Sequence, residues 1–226
     1  VYFYLIIDLI MEKKFNDNIY YYKLDGDEYK CGITYANFIL SRDFNIDLIH
    51  KINKEHWLNI SENNSKLIYK IIKEKVNSWI KIIKEDYIKY FQFEKGMCDT
   101  FKISLNLILE LQILSEISGI FCTIICNETV FYRILDTSLF HRELLKNNLN
   151  EIHIIEINKK ILFINPVYQL YHTLILETYS VAIFGNNLIN KKTYLKNEIP
   201  FYLKLKIYLD QSNDENEFIE YINKDN

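Results

Sequence analysis

The sequence predicts a mixed fold of the α/β or α+β class, a small mixed sheet with flanking helices. Short apolar runs of strand length are interleaved with longer runs in which apolar residues recur every three or four positions. Short turn signals such as Asp25-Gly26-Asp27, Ser118-Gly119 and Asn165-Pro166 separate the runs, and no internal repeat or linker divides the chain. At 226 residues the chain fits one domain, and such a domain buries about 70% of its unfolded surface. We read residues 11–226 as that single globular domain. Val1 to Ile10 is an apolar stretch with neither a basic n-region nor a small-residue cleavage site. Met11 is the first methionine, so residues 1–10 read as an extension ahead of the translation start.

The elements follow in order. Residues 15–35 read as a hairpin, because the run Ile19 to Leu24 is followed by Asp25-Gly26-Asp27, a strong tight-turn signal. Asp25 and Asp27 also have metal-pair spacing, but Gly26 supplies the positive φ of a turn, which favours the turn. Residues 36–60 read as one or two short helices with Asp43 and Asn45 between them. Residues 64–91 read as the clearest helix, apolar at Ile68, Ile71, Ile72, Val76, Trp79, Ile80, Ile83 and Tyr87 and capped by Asn64 or Ser65. Its polar side carries Lys70, Lys73, Lys81, Lys84 and Lys89. Such a row is ordinarily a solvated face, with phosphate contact the sharper alternative. Residues 101–117 alternate like a strand but are Leu-, Glu- and Gln-rich and end at Ser118-Gly119, which favours a buried helix.

Ile120 to Cys126 and Val130 to Leu135 read as strands, and Leu139 to Asn147 as a helix. Ile152 to Ile157 and Ile161 to Ile164 form a second hairpin. Asn165-Pro166 then opens a helix running towards Gly185, with Pro166 at the first helical position. Helical runs at 201–209 and 217–222 close the chain.

Composition narrows the function classes. Ile, Asn, Lys, Tyr and Phe stand where Ala, Gly, Pro and Arg are scarce, the signature of an AT-rich genome, so Tyr or Lys enrichment carries no functional meaning by itself. The net charge of −3 is not that of a dedicated nucleic-acid binder. No apolar run approaches the length of a membrane span. The four cysteines, Cys31, Cys98, Cys122 and Cys126, form no CxxC pair; Cys122 and Cys126, four apart in an apolar strand-like run, read as buried free thiols, and the protein reads as cytoplasmic. The sequons at Asn59, Asn63 and Asn127 are expected by chance in so Asn-rich a chain. There is no P-loop, GxGxxG, HExxH or GxSxG. His50, His56, His141, His153 and His172 lack metal-ligand spacing and read as structural.

Three ordered stretches remain. Thr100-Phe101 opens an apolar run, Arg133-Ile134-Leu135-Asp136-Thr137-Ser138 ends a strand on an aspartate, and Ile161-Leu162-Phe163-Ile164-Asn165-Pro166-Val167-Tyr168-Gln169-Leu170 runs a hairpin strand into a proline. From about Asp99 to Gly185 this order resembles the catalytic subunit of poxvirus-type poly(A) polymerase. The resemblance implies a nucleotidyltransferase-like fold in which three carboxylates on adjacent strands hold two divalent metals. By position Asp136 matches the third carboxylate, in the catalytic role and as a metal ligand on a central strand. The family's Gly-Ser turn and Asp-x-Asp pair would lie just before Asp99. Here Tyr90 to Cys98 stands there, and Glu94 is its one carboxylate, the second candidate metal ligand.

The resemblance therefore implies a degenerate nucleotidyltransferase-fold protein related to viral RNA 3′-end polyadenylation and without catalytic activity. An active member would use Mg²⁺ or Mn²⁺, its metal pair coming from elsewhere, such as Asp25 and Asp27. RNA or a viral processivity subunit is the implied partner. The residues alone fit a viral or plasmid-encoded interaction protein without enzymatic activity.

Overall fold

The computed structural model describes residues 11–16, 19–42, 44–117, 121–126, 131–136, 152–157, 160–165, 170–175, 180–182 and 199–224. Strands β1 (Met11–Asn16) and β2 (Ile19–Leu24) open the chain. Helices α1 (Glu28–Leu40), α2 (Asp47–Asn63) and α3 (Lys66–Asp86) follow. A 3-10 turn (Ile88–Phe91) leads into α4 (Gln92–Phe101) and α5 (Leu105–Ile117). Then come β3 (Phe121–Cys126), β4 (Phe131–Asp136), β5 (Ile152–Ile157), β6 (Lys160–Asn165), β7 (Leu170–Ile175) and β8 (Ser180–Ala182). Helices α6 (Phe201–Gln211) and α7 (Glu215–Lys224) end it. Helices and a mixed sheet share the chain, as the alternation of runs predicts.

Six strands form one sheet in the order β1-β2-β5-β6-β7-β8. β2 and β5 are parallel, and every other neighbouring pair is antiparallel. Two antiparallel blocks thus meet at one parallel seam, with Tyr20, Tyr22 and Leu24 beside His153, Ile155 and Ile157. These six side chains are all buried, whereas Lys23 between them is exposed, the period-two burial of a sheet with one face on the core. That face packs on α1 through Cys31, Tyr35, Ala36 and Ile39, and on α4 through Phe93, Met97 and Phe101. A second cluster joins α3 (Ile72, Val76, Trp79, Ile80, Ile83) to α5 (Leu109, Ile113, Leu114) and α6 (Leu203, Ile207). A third joins α2 to α5 around Ile49, Ile52, Ile108 and Leu111.

α1 and α4 approach unusually closely because two glycines face each other's backbone. A Cβ on Gly32 would stand 2.1 Å from the Phe93 carbonyl oxygen, and one on Gly96 would stand 2.1 Å from that of Tyr29. Only hydrogen fits at either position.

The α3 expectation holds. The helix is unbroken from Lys66 to Asp86, Ser65 accepts from the Ile68 amide as its N-cap, and Trp79 is 3% exposed. It stops at Asp86, short of residue 91. The 101–117 region is helical from Leu105, after Lys102 closes α4 in the left-handed conformation (φ 57°). β3 and β4, the β5–β6 pairing, and the two C-terminal helices also lie where expected.

Two expectations are corrected. Asp25-Gly26-Asp27 does not turn a hairpin. The antiparallel partner of β2 is the preceding β1, and the turn instead launches α1. Gly26 does adopt positive φ (123°), but Asp27 is the N-cap, its side chain accepting from the Lys30 amide at 2.8 Å. The helix expected beyond Pro166 is also absent over Leu170–Ile175 and Ser180–Ala182, which are β7 and β8. Tyr171, Thr173, Ile175 and Val181 are strand formers, and β6 offers an open edge whose backbone groups β7 satisfies. Pro166 itself, and the helix expected at Leu139 to Asn147, lie outside the described residues.

Candidate functional site

Glu94 and Asp136 are placed on different elements. Glu94 sits in the first turn of α4. Asp136 is the last residue of β4, opposite Phe121 of β3, in a two-stranded sheet separate from the six-stranded one. The expected central-strand position is therefore not where β4 lies; the side chain of Asp136 is outside what the structure describes. Among the described residues no three His, Cys, Asp or Glu side chains converge as a metal-binding group.

Glu94 is instead part of a buried charged cluster that sequence reading did not find. It is fully buried, and its Oε1 lies 3.5 Å from Lys206 Nζ on α6. At that distance the ammonium is an electrostatic neighbour, and neither Glu94 oxygen accepts a well-formed hydrogen bond among the described residues. Lys206 has closer partners. Its Nζ donates to the Tyr90 carbonyl at 2.7 Å and to Asp210 Oδ2 at 3.0 Å. Gln211 Nε2 adds a bond to the Tyr90 hydroxyl, so α6 grips the 88–91 turn at two points.

The electrostatics follow from burial. Loss of solvent pushes the Glu94 carboxyl above the usual glutamate range, and Lys206 offsets only part of that. Burial would lower Lys206, but Asp210 and Glu94 together hold it above the ordinary lysine value. The lysine is thus the committed charge, Asp210 its near counter-ion, and Glu94 a carboxyl that burial biases towards its protonated form.

A signal for this cluster exists in the sequence. Lys206 shares a helical face with Leu203, Ile207 and Asp210, at spacings of three and four. A lysine on an apolar face with an aspartate four residues on marks a buried ion pair, but its link to Glu94 bridges distant chain segments and has no local trace.

A second buried polar group lies on the sheet. Tyr35 OH meets His153 Nδ1 at 2.8 Å, both fully buried, with Tyr20 and Tyr22 packed around the imidazole. The Arg42 guanidinium lies 3.4 Å from the Tyr20 ring centre and donates to the Tyr22 hydroxyl. It satisfies the polar tips of aromatic residues inside a core, the structural role expected of His153. His56 is also buried, His50 is exposed, and His141 and the side chain of His172 lie outside the described residues.

Asp25 and Asp27 are both exposed and belong to the α1 cap, where Asp27 also pairs with Lys30 at 3.1 Å. Cys31 and Cys98 are buried free thiols, and the side chains of Cys122 and Cys126 lie outside what the structure describes. Burial pushes them up to about 11 and about 12 respectively, so neither is a ready nucleophile. No helix of the described residues is long and apolar enough to cross a membrane. Comparison with family models, with curated proteins and with solved structures finds no match to this chain.

Proposed function

We propose that this chain works by binding a partner and catalyses no reaction, as an interaction protein of intracellular, viral or plasmid origin. The observation that carries the reading is the use already made of Glu94. Its carboxylate is sealed in the core beside the Lys206 ammonium, and a divalent cation there would stand against a fixed positive charge. Glu94 therefore does not fit Mg²⁺ or Mn²⁺. The strand at Leu170–Ile175 supports the same reading, because the stretch with most of the polymerase resemblance ends in a strand where a helix is implied.

The second reading is a degenerate nucleotidyltransferase relative linked to RNA 3′-end processing, with RNA or a processivity subunit as partner. One observation favours it. α5 is followed by β3 and by β4, which ends on Asp136, the element order the family implies. Both readings are non-catalytic.

Thermal unfolding with and without millimolar Mn²⁺ tests the proposal. A cation bound to the native state raises the midpoint by mass action. The proposal expects the same midpoint in both conditions, for wild type and for Asp136→Ala. A Mn²⁺-dependent rise lost in Asp136→Ala would overturn it.

A further inference from the structure

Helix α3 presents Lys66, Lys70, Lys73, Asn77, Lys81 and Lys84 at successive steps of four and three residues, the spacing that holds side chains on one stripe. All six are exposed. Because the helix is unbroken, the stripe runs straight for about 27 Å at about 1.5 Å per residue. The buried side of the helix, through Val76, Trp79 and Ile83, locks its rotation against the second core cluster. The whole chain carries −3, so five lysines in one line are a local concentration of charge and not a share of general basicity. Their internal pairings are weak. Lys70–Glu74 and Lys81–Glu85 each span 3.8 Å with both partners mostly exposed, and such pairs exchange readily for another anion. Lys84 also donates to Asn106 Oδ1 at 3.2 Å.

We propose that this row is a docking surface for a single strand of nucleic acid, held by its phosphates. The inference rests on the interaction reading above and names its partner. Two features select the partner class. Protein interfaces take most of their affinity from buried aromatic or apolar anchors, and the large exposed hydrophobic residue on this helix is a single one, Leu67. Phosphate backbones are gripped by lysine and arginine charge without such anchors. The row is also straight. Duplex phosphates wind away from a line after a few steps, whereas a torsionally free single strand can follow a basic track.

The test uses the full chain and fluorescence anisotropy with labelled mixed-sequence RNA and DNA single strands, the matching duplex, and polyglutamate as competitor. Salt is varied between about 50 and 200 mM. Engagement of all five lysines gives a log–log salt slope of about −3.5, at about −0.7 per neutralised phosphate. The triple variant Lys66→Ala, Lys70→Ala, Lys73→Ala should lose about 2 from that slope and bind at least about tenfold more weakly at low salt. Alanine favours helix more than lysine does, so this variant keeps its fold, checked by circular dichroism. The control variant Lys54→Ala, Lys95→Ala, Lys224→Ala removes three exposed lysines off the row and should bind like wild type. Equal binding by wild type and the row variant overturns the inference, as does equal weakening in the control. Polyglutamate competing as well as RNA, or the duplex binding more tightly than the single strand, also overturns it. Each of those results leaves the non-catalytic reading standing, whereas extension of RNA by the wild type defeats that reading whether or not the row binds.

Discussion

Replacing Lys206 by Met should destabilise the protein severely, and replacing Glu94 by Gln should not. Lys206 holds the Tyr90 carbonyl at 2.7 Å and Asp210 at 3.0 Å while 5% exposed overall. Met is close in volume, so Lys206→Met removes the charge and donors and leaves most of the packing. The Tyr90 carbonyl and Asp210 each lose a hydrogen bond, and Glu94 loses the nearby positive charge. Removing one member of a buried ion pair costs about 3–5 kcal/mol. Two hydrogen bonds are lost, at about 1–3 kcal/mol for a buried one, and proton uptake by Glu94, the more deeply buried carboxylate, holds the total loss to about 3 kcal/mol. For a domain of this size that lowers the thermal midpoint by about 6–12 °C. Glu94→Gln keeps the shape and removes a carboxylate that burial already disfavours, so the midpoint at pH 7 should stay level or rise. The pH dependence has a definite sign. A carboxyl raised on folding holds a proton that the unfolded chain has released, so its contribution is complete below the unfolded glutamate pKa. That contribution is lost as pH rises through the folded value, and Glu94→Gln should flatten this part of the profile. Thermal scans of wild type and both variants across pH 4 to 9 make the measurement. A Lys206→Met midpoint within about 2 °C of wild type, a loss of under about 1 kcal/mol, would show that Lys206 does not hold α6 to the 88–91 turn.

Gly96→Ala should lower stability by about 2 kcal/mol, because its Cβ would meet the Tyr29 carbonyl at 2.1 Å and overpacking outweighs the gain in helix propensity. Asn77→Ala, exposed on α3, is the control and should be neutral or slightly stabilising in denaturant titration. Native Cys31 and Cys98 should resist alkylation at pH 8 and react promptly in denaturant, because both thiols are buried and pushed far above that pH. Peptide mapping by mass spectrometry reads the two sites separately, and fast native labelling of either would show that its helix opens locally.

The parts of the fold legible in the sequence are those with a strong local period. α3 announces itself by eight apolar positions on one face and a serine cap, and the β5–β6 hairpin by two short β-branched runs around Asn-Lys-Lys. Where two periods compete, burial decides. The Leu-rich run of α5 looks like a strand on paper, yet it is buried at Ile108, Leu109 and Leu111 to Leu114 and folds as the helix that links the second and third core clusters. The misread segments are those whose partner lies elsewhere. β7 pairs with the free edge of β6, which a proline signal at 166 cannot announce. The parallel pairing of Tyr22 with Ile155 and the 3.5 Å approach of Lys206 to Glu94 join positions more than a hundred residues apart. No window of neighbouring residues contains either. The Gly32 and Gly96 crossing is of the same kind: each glycine looks like a helix weakness until the other helix is beside it.

An RNA extension assay separates a chain that only binds, as proposed, from one that catalyses. Purified full-chain protein is incubated with a single-stranded RNA primer, ATP and either Mg²⁺ or Mn²⁺. Two divalent cations bring four positive charges into one cleft and need several converging carboxylates to offset their repulsion. Glu94 is sealed in the core 3.5 Å from the Lys206 ammonium, and Asp136 ends a separate two-stranded sheet. The primer should stay at its starting length with either metal, for wild type and for Asp136→Ala alike. Robust tailing by the wild type that disappears in a stably folded Asp136→Ala variant would contradict it.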